Sequence, residues 1–514
     1  MFLWTQIISF YIITHLWTLV LSLTIGYLVY KLAMFYHLYY SLPPGPFPLP
    51  VIGNMLTFQT KTFWDDIYRQ LSEKYGPVFT VYMGNTPQVM ISDADIARQV
   101  FSKTDFAGRP KTYFATLLAN DVMMDDYGNS WEALRRVAHT AAMKYSINER
   151  LVNVAVDCVD KTVELMLKRE GPDKPIKPVD YIYLIFLNIM TNSAFNESYN
   201  FDDIVFKKFK YVLKDIFEEM NLRLMLTEYI KPLQWIDYKL TNKMSNAYNE
   251  MRDIIYNKFK QHYIDYDREV ERDFCDALIA AKDDALREGR ESAPYLTDDK
   301  LGMTVFDMFF AGIETSEKTF QWILLLLSYY PRMQKRLRDE IISQIGDRLP
   351  RHQDRQQCHY VMAFIAETLR FRNVAPYGLP HRSVITSKIG NYTIPKGITV
   401  YTYQGIILKN SNDKHWTNGD HFLPDRFIDS DGHYITTHSP AFIPFGVGRR
   451  KCLGEKLAIA DLFLVLVRFI QLTQNYDIIL DSHRDLSVDP NSGYLINPND
   501  QDIRSSKIIA RIII

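Results

Sequence analysis

Cys452 sits in the stretch Pro444-Phe445-Gly446-Val447-Gly448-Arg449-Arg450-Lys451-Cys452-Leu453-Gly454, directly after a run of basic residues. Beyond it Leu457, Ala460, Leu462, Phe463, Val465, Leu466 and Phe469 recur with helical spacing, which places the cysteine at or just before a helix N-terminus. There the helix dipole and free N–H groups favour a thiolate. Gly446, Gly448 and Gly454 permit tight turning and close approach to a ligand, and Phe445 is able to shield the sulfur from water. A thiolate held in this way can serve as the proximal ligand of a heme iron, where its electron push favours O–O cleavage. Taken by itself, the same stretch also describes a buried cysteine in an ordinary loop.

A second stretch, Ala311-Gly312-Ile313-Glu314-Thr315-Ser316, lies inside a strong helical pattern that begins at Leu301. Glycine in a helix interior costs about 1 kcal/mol relative to alanine, and a threonine hydroxyl there can bond back to the preceding turn and bend the helix. Such loosening would open room for O2 and a water. Glu314 as a buried acid with no partner would cost several kcal/mol.

The spacing Phe445-x-x-Gly448-x-Arg450-x-Cys452-x-Gly454 resembles the heme-binding signature of the cytochrome P-450 heme-thiolate monooxygenases. The resemblance implies that Cys452 ligates heme b (iron protoporphyrin IX), with Phe445 and Arg450 as part of its cradle. Residues 311–316 resemble the oxygen-activation motif of that family, with Ser316 where threonine is usual. Thr315 would then serve oxygen activation, Glu314 would help relay protons, and Ala311 and Gly312 would line the pocket. Trp131 and Arg135, at i and i+4 on one helix face, resemble the family's heme-propionate pair, and Arg109 in its loop would do likewise; a guanidinium fork suits a carboxylate. Glu367 and Arg370, completed by Arg426, resemble a buried ion network that pins the fold. The extended segment after Arg370 would line the pocket with Val374, Ala375 and Leu379 and bring His381 to a propionate. Without that context, a lone histidine is more often structural.

These motifs need elements to position them. The chain has 514 residues, 47% of them hydrophobic and 14% aromatic, which is ample for a large core. Length alone allows two to four domains; the resemblance implies one. A net charge of −1 implies no nucleic-acid partner. Four scattered cysteines, with no CxxC pair, argue against a disulfide scaffold, a zinc site or covalently attached heme. The first charged side chain is Lys31, and Ile7 to Tyr30 is apolar enough to span a bilayer. With no basic n-region and no cleavage site, the segment reads as a retained anchor with the bulk of the chain on the cytosolic side. The expected organisation is an anchor at 1–36, a proline-rich hinge at 37–60 and a heme-binding catalytic domain at 61–514. That domain is expected to be mainly helical with small sheets, in the cytochrome P-450 fold, including two strands within 75–90 that turn at Gly84-Asn85. Leu222 to Tyr238 reads either as a surface patch that dips into lipid or as ordinary core, and 267–299 as a solvated linker or helix surface.

The activity implied by the resemblance is monooxygenation of a small lipophilic substrate, steroid-like or xenobiotic, at the endoplasmic reticulum membrane. The chain shows no flavin or nicotinamide glycine motif. Electrons would therefore come from NADPH through NADPH–cytochrome P-450 reductase, with cytochrome b5 as a further partner. Arg136, Lys144, Arg449 and Lys451 are candidates for docking the reductase's acidic surface. Two other readings remain open: a peroxide isomerase or dehydratase of the same fold that needs no reductase, and a membrane-anchored heme sensor.

Overall fold

A computed structural model describes residues 2–58, 64–113, 122–146, 149–171, 175–176, 178–219, 227–270, 272–410, 415–476, 478–479 and 508–509. The helices that build the site are α1 (Phe2–Ser41), α2 (Ala94–Phe101), α3 (Asn129–Ser146), α4 (Val179–Phe195), α5 (Asp298–Tyr329), α6 (His359–Phe371) and α7 (Glu455–Leu472). Strands β1 (Val78–Met83), β2 (Thr86–Ile91), β3 (His381–Arg382) and β4 (Thr399–Thr402) form one sheet in the order β1-β2-β4-β3. The protein is mostly helical, with small sheets set to the side.

The apolar N-terminal run forms α1, and its stretch Phe10–Ser41 is a candidate membrane span with none of its length buried in protein. The threonines that interrupt the run are satisfied within the helix. Thr14, Thr18 and Thr24 donate to the carbonyls of Phe10, His15 and Val20 at 2.8, 2.9 and 2.7 Å. Such back-bonding removes the cost of bringing a hydroxyl into an apolar medium.

The helix continues past residue 36 into the segment expected to be a hinge, and its last turns dock on the sheet. Phe35 and Tyr39 meet the ring of Tyr82 edge to face. The proline segment that follows is bonded down as well. Pro44 O accepts from Thr80 N at 2.9 Å. The Asn54 amide donates to Pro46 O and Phe47 O, while its oxygen accepts from Tyr82 N at 2.8 Å. At Gly45 an added Cβ would lie 1.8 Å from Thr80 O. Residues 44–54 are thus tied by hydrogen bonds to β1.

The β1–β2 hairpin turns at Gly84-Asn85, with Gly84 at φ +58°. Within 267–299, a helix over Phe274–Arg287 buries Phe274, Cys275, Leu278 and Ile279, so this stretch is packed core on one side. Residues 222–226 of the apolar stretch lie outside the described residues; Trp235, Ile236 and Tyr238 are exposed.

Helix α5 crosses the core. Thr297 caps it by accepting from Lys300 N, and Asp298 and Asp299 sit in its first turn, where the dipole favours acid. It ends at Tyr330, and Pro331 starts the next helix. Phe320, Ile323 and Leu327 pack in one cluster with α4, α6 and α7.

Behind that cluster lies the ion network. Arg370 grips Glu367 at 2.6 and 2.8 Å, both side chains fully buried, and Arg426 Nε reaches Glu367 at 3.3 Å. The remaining Arg370 donors go to Leu408 O, Gly419 O and His421 O, and Glu367 also accepts from Leu423 N. Truncating one partner leaves a buried charge uncompensated. Glu367→Ala should lower unfolding stability by about 3–5 kcal/mol, read as a shifted urea midpoint. A loss below about 1 kcal/mol, the range of an exposed pair, would mean that the network does not bear on the fold.

Candidate functional site

The loop before α7 is closed by a hydrogen bond from Cys452 N to Phe445 O at 2.9 Å. Gly446 and Gly448 both have positive φ, at 74° and 75°. At Gly448 an added Cβ would stand 2.0 Å from Phe101 O at the end of α2, so only glycine allows the loop to seat there. Cys452 lies just before Gly454, the cap residue of α7.

Burial, the largest influence, raises the Cys452 pKa above its ordinary value, and Glu455 adds to this. A backbone hydrogen bond from Gly454, with Arg135 and Lys451, acts the other way without prevailing. By surface area the residue is exposed. A helix N-terminus contributes a fraction of a charge, and the Gly454 hydrogen bond, Arg135 and Lys451 act on the sulfur in the same direction.

Cations collect beside this loop. Arg450 lies face-on to Trp131 with 3.9 Å to the ring centroid, and Arg135 lies 5.5 Å from the same ring. Arg450 donates to Ala107 O and Asp125 O, but its buried Nη1 has no hydrogen-bond partner among the described residues. Burial first, then Arg109 and Arg135, press against its charge. A guanidinium keeps its proton even so, which leaves an unmet demand for an anion.

Arg109 donates to Met123 O and Pro380 O at 3.0 and 2.6 Å. His381 of β3 is bonded through Nδ1 to Phe106 O at 2.9 Å. Burial, followed by Arg109, holds its pKa well below the ordinary histidine value. A neutral His381 that donates through Nδ1 offers Nε2 as an acceptor.

The pocket segment passes the same loop, because Asn373 Nδ2 donates to Pro444 O at 3.0 Å. Val374 is buried, and Ala375 and Leu379 are half-buried. Phe445 is half-buried against the main core cluster. Leu453, beside Cys452, shares a second cluster with Trp131, Phe309 and Ile313 of α5.

On α5, Ala311 is exposed and Met308, Gly312 and Thr315 are half-buried, within an otherwise mostly buried run. Thr315 Oγ1 donates to Ala311 O at 2.6 Å, the back-bond expected from sequence. The helix is nevertheless unbroken over its 32 residues. The room beside it comes from small side chains, not from a break. At Gly312 an added Cβ would meet Met190 of α4 at 3.3 Å, so the glycine also permits close helix packing. Glu314 is buried and paired with Lys318 at 2.5 Å, a partner that the sequence reading missed.

The family model described as Cytochrome P450 matches residues 43–502. The chain belongs to the cytochrome P450 family. Among curated relatives, the steroid 17-alpha-hydroxylase/17,20 lyase of Oryzias latipes is 30% identical over 82% of this chain and 84% of its own length. Cytochrome P450 1A1 of Rattus norvegicus is 31% identical over 84% and 83%. Cytochrome P450 2A9 of Mesocricetus auratus is 29% identical over 84% and 87%.

Cytochromes P450 are monooxygenases with a cysteine-ligated heme. The donor set here fits that group: one cysteine, a stacked tryptophan, and buried guanidiniums around an unpartnered N–H, which suits propionate carboxylates. Gly448→Ala should lower stability by about 2–4 kcal/mol, from overlap with Phe101 O and a positive φ, and should abolish heme retention. Gly454→Ala, where nothing lies within 4 Å of an added Cβ, should be tolerated. Equal heme content and equal urea midpoints for the two variants would contradict this account of the loop.

Proposed function

We infer that the chain inserts one atom of O2 into a small lipophilic substrate at the endoplasmic reticulum membrane and reduces the other to water. The observation that carries this reading is the accessible side of α5. There a threonine hydroxyl follows two small residues, with an acid at the adjacent position. Cys452 would hold the heme from one side, and Arg109, Trp131, Arg135 and Arg450 would hold its carboxylates; His381, with Nε2 as an acceptor, would meet a carboxyl only through a proton on that carboxyl. When bound, that group supplies the oxygen-activating chemistry.

The remaining steps belong to side chains. Thr315 spends its single proton on Ala311 O, so its oxygen faces the pocket as an acceptor able to position a water. Glu314, next in sequence to Thr315 and paired with Lys318, would be the acid for proton delivery. Val374, Ala375 and Leu379 would give the substrate an apolar wall, which suits the steroid-like class named for the Oryzias latipes relative.

Electrons would come from NADPH through a reductase that docks on the basic face. Arg136 is exposed there; the side chain of Lys144 lies outside the described residues. Arg449 and Lys451 are half-exposed and already face Glu132 and Glu455 at 3.6 and 2.5 Å. The docking acids would have to displace these pairs, each worth no more than about 1 kcal/mol. Charge reversal at Arg449 and Lys451 together should slow reductase-driven turnover and flatten its salt dependence; an unchanged salt profile would exclude this face.

Thr315→Ala should keep NADPH consumption while product falls and hydrogen peroxide rises, measured with reductase in lipid vesicles. Unchanged coupling would remove Thr315 from oxygen activation, and no NADPH consumption by wild type or variant would favour the reductase-independent isomerase or the sensor.

A further inference from the structure

Two stripes run along buried α5. Met308, Ala311, Gly312 and Thr315 form its accessible side. Glu314, Glu317, Lys318 and Gln321 repeat the same i, i+3, i+4, i+7 spacing one step round the helix. Glu314 and Glu317 are both buried, and Lys318 lies 2.5 Å from the first and 3.7 Å from the second. The Gln321 amide donates to Glu317.

From α4, Tyr183 and Asp180 act on the stripe, and Asp180 pairs at the surface with Lys210 of the Ile204–Glu219 helix at 2.6 Å. The buried Tyr183 hydroxyl has no hydrogen-bond partner among the described residues, and burial keeps it protonated. One ammonium cannot neutralise two buried carboxylates. Burial first, with Glu314 adding and Lys318 opposing, pushes Glu317 up to about 7. The pair therefore holds one exchangeable proton near neutral pH. A purely structural pair with Lys318 would need only Glu314.

We propose that Glu317 and Lys318 form a proton store behind Glu314, which loads its carboxylate with the proton that it then passes on toward Thr315. This deepens the oxygenase reading and rests on it. The O–H bond of Glu317 breaks as Lys318 passes one of its protons to the Glu314 carboxylate and takes the one from Glu317. Lys318 ends as it began, and Glu317 is refilled from solvent on the Asp180 side. No electrons move. Glu317 is a positioning residue, since it touches neither substrate nor heme.

The test compares wild type, Glu317→Gln and Glu317→Asp. The first readout is infrared spectroscopy of the resting heme-loaded enzyme with no turnover. Beside the band of Asp461, a second carboxyl that burial pushes up to about 8, wild type should show a protonated-carboxyl band that titrates away near pH 7, is absent from E317Q and returns in E317D. The second is the pH profile of product formed per NADPH. Wild type should lose coupling as pH rises through that range, because the stored proton is gone. E317Q should be flat and lower, by less than about 100-fold because Glu314 remains, and E317D should regain the slope.

Carboxyl bands in E317Q identical to those of wild type, or an E317Q pH profile identical to wild type in an enzyme that oxygenates, overturn the store and leave the oxygenase reading intact. Wild type that consumes no oxygen at any pH overturns the oxygenase reading, and the store with it.

Discussion

Gly448 pressed against the carbonyl of Phe101 is the constraint on which the site depends. With no side chain at 448 the cysteine loop seats on the end of α2, the bond from Cys452 N to Phe445 O closes it, and the sulfur is fixed just ahead of α7. Arg450, two residues before the cysteine, is thereby delivered to Trp131 of α3 and to the carbonyl of Ala107. Asn373 ties the pocket segment to Pro444. A change of one methyl group at this contact would be felt by the thiol, the cation nest and the apolar wall together. The Glu367–Arg370–Arg426 network holds the same unit from behind by fixing the backbone at 408 and 417–423.

Charge is distributed with a purpose on the two sides of the site. Beside the cysteine loop, buried cations outnumber their local acids, and a donor of Arg450 is left open. Beside α5 the imbalance is reversed, with two buried acids on one lysine. Neither arrangement is stabilising by itself, because buried charge is costly unless fully paired. An excess of cations suits a permanent dianionic guest. An excess of acid near its own pKa suits a transient one, the proton.

Much of this was legible in local spacing. Cys452, Thr315 and Glu367–Arg370 are read within ten residues of chain, where backbone geometry alone brings the groups together. Glu317 and Lys318 were equally local, yet Glu–Lys pairs at such spacing are common on solvated faces, so the pattern said little until burial was known. Tyr183 was not legible, because its place depends on α4 meeting α5 across Gly312 and Met190. The bonds of the proline segment to Thr80 and Tyr82 were not legible either, because they are tertiary.

The most direct test of the central claim is the spectrum of the dithionite-reduced, carbon-monoxide-treated protein, for wild type and Cys452→His. The account predicts the long-wavelength band that marks a cysteine thiolate on heme iron in wild type and its loss in the variant. A wild-type band at the shorter wavelength of a neutral ligand, or a long-wavelength band that survives in Cys452→His, would contradict it.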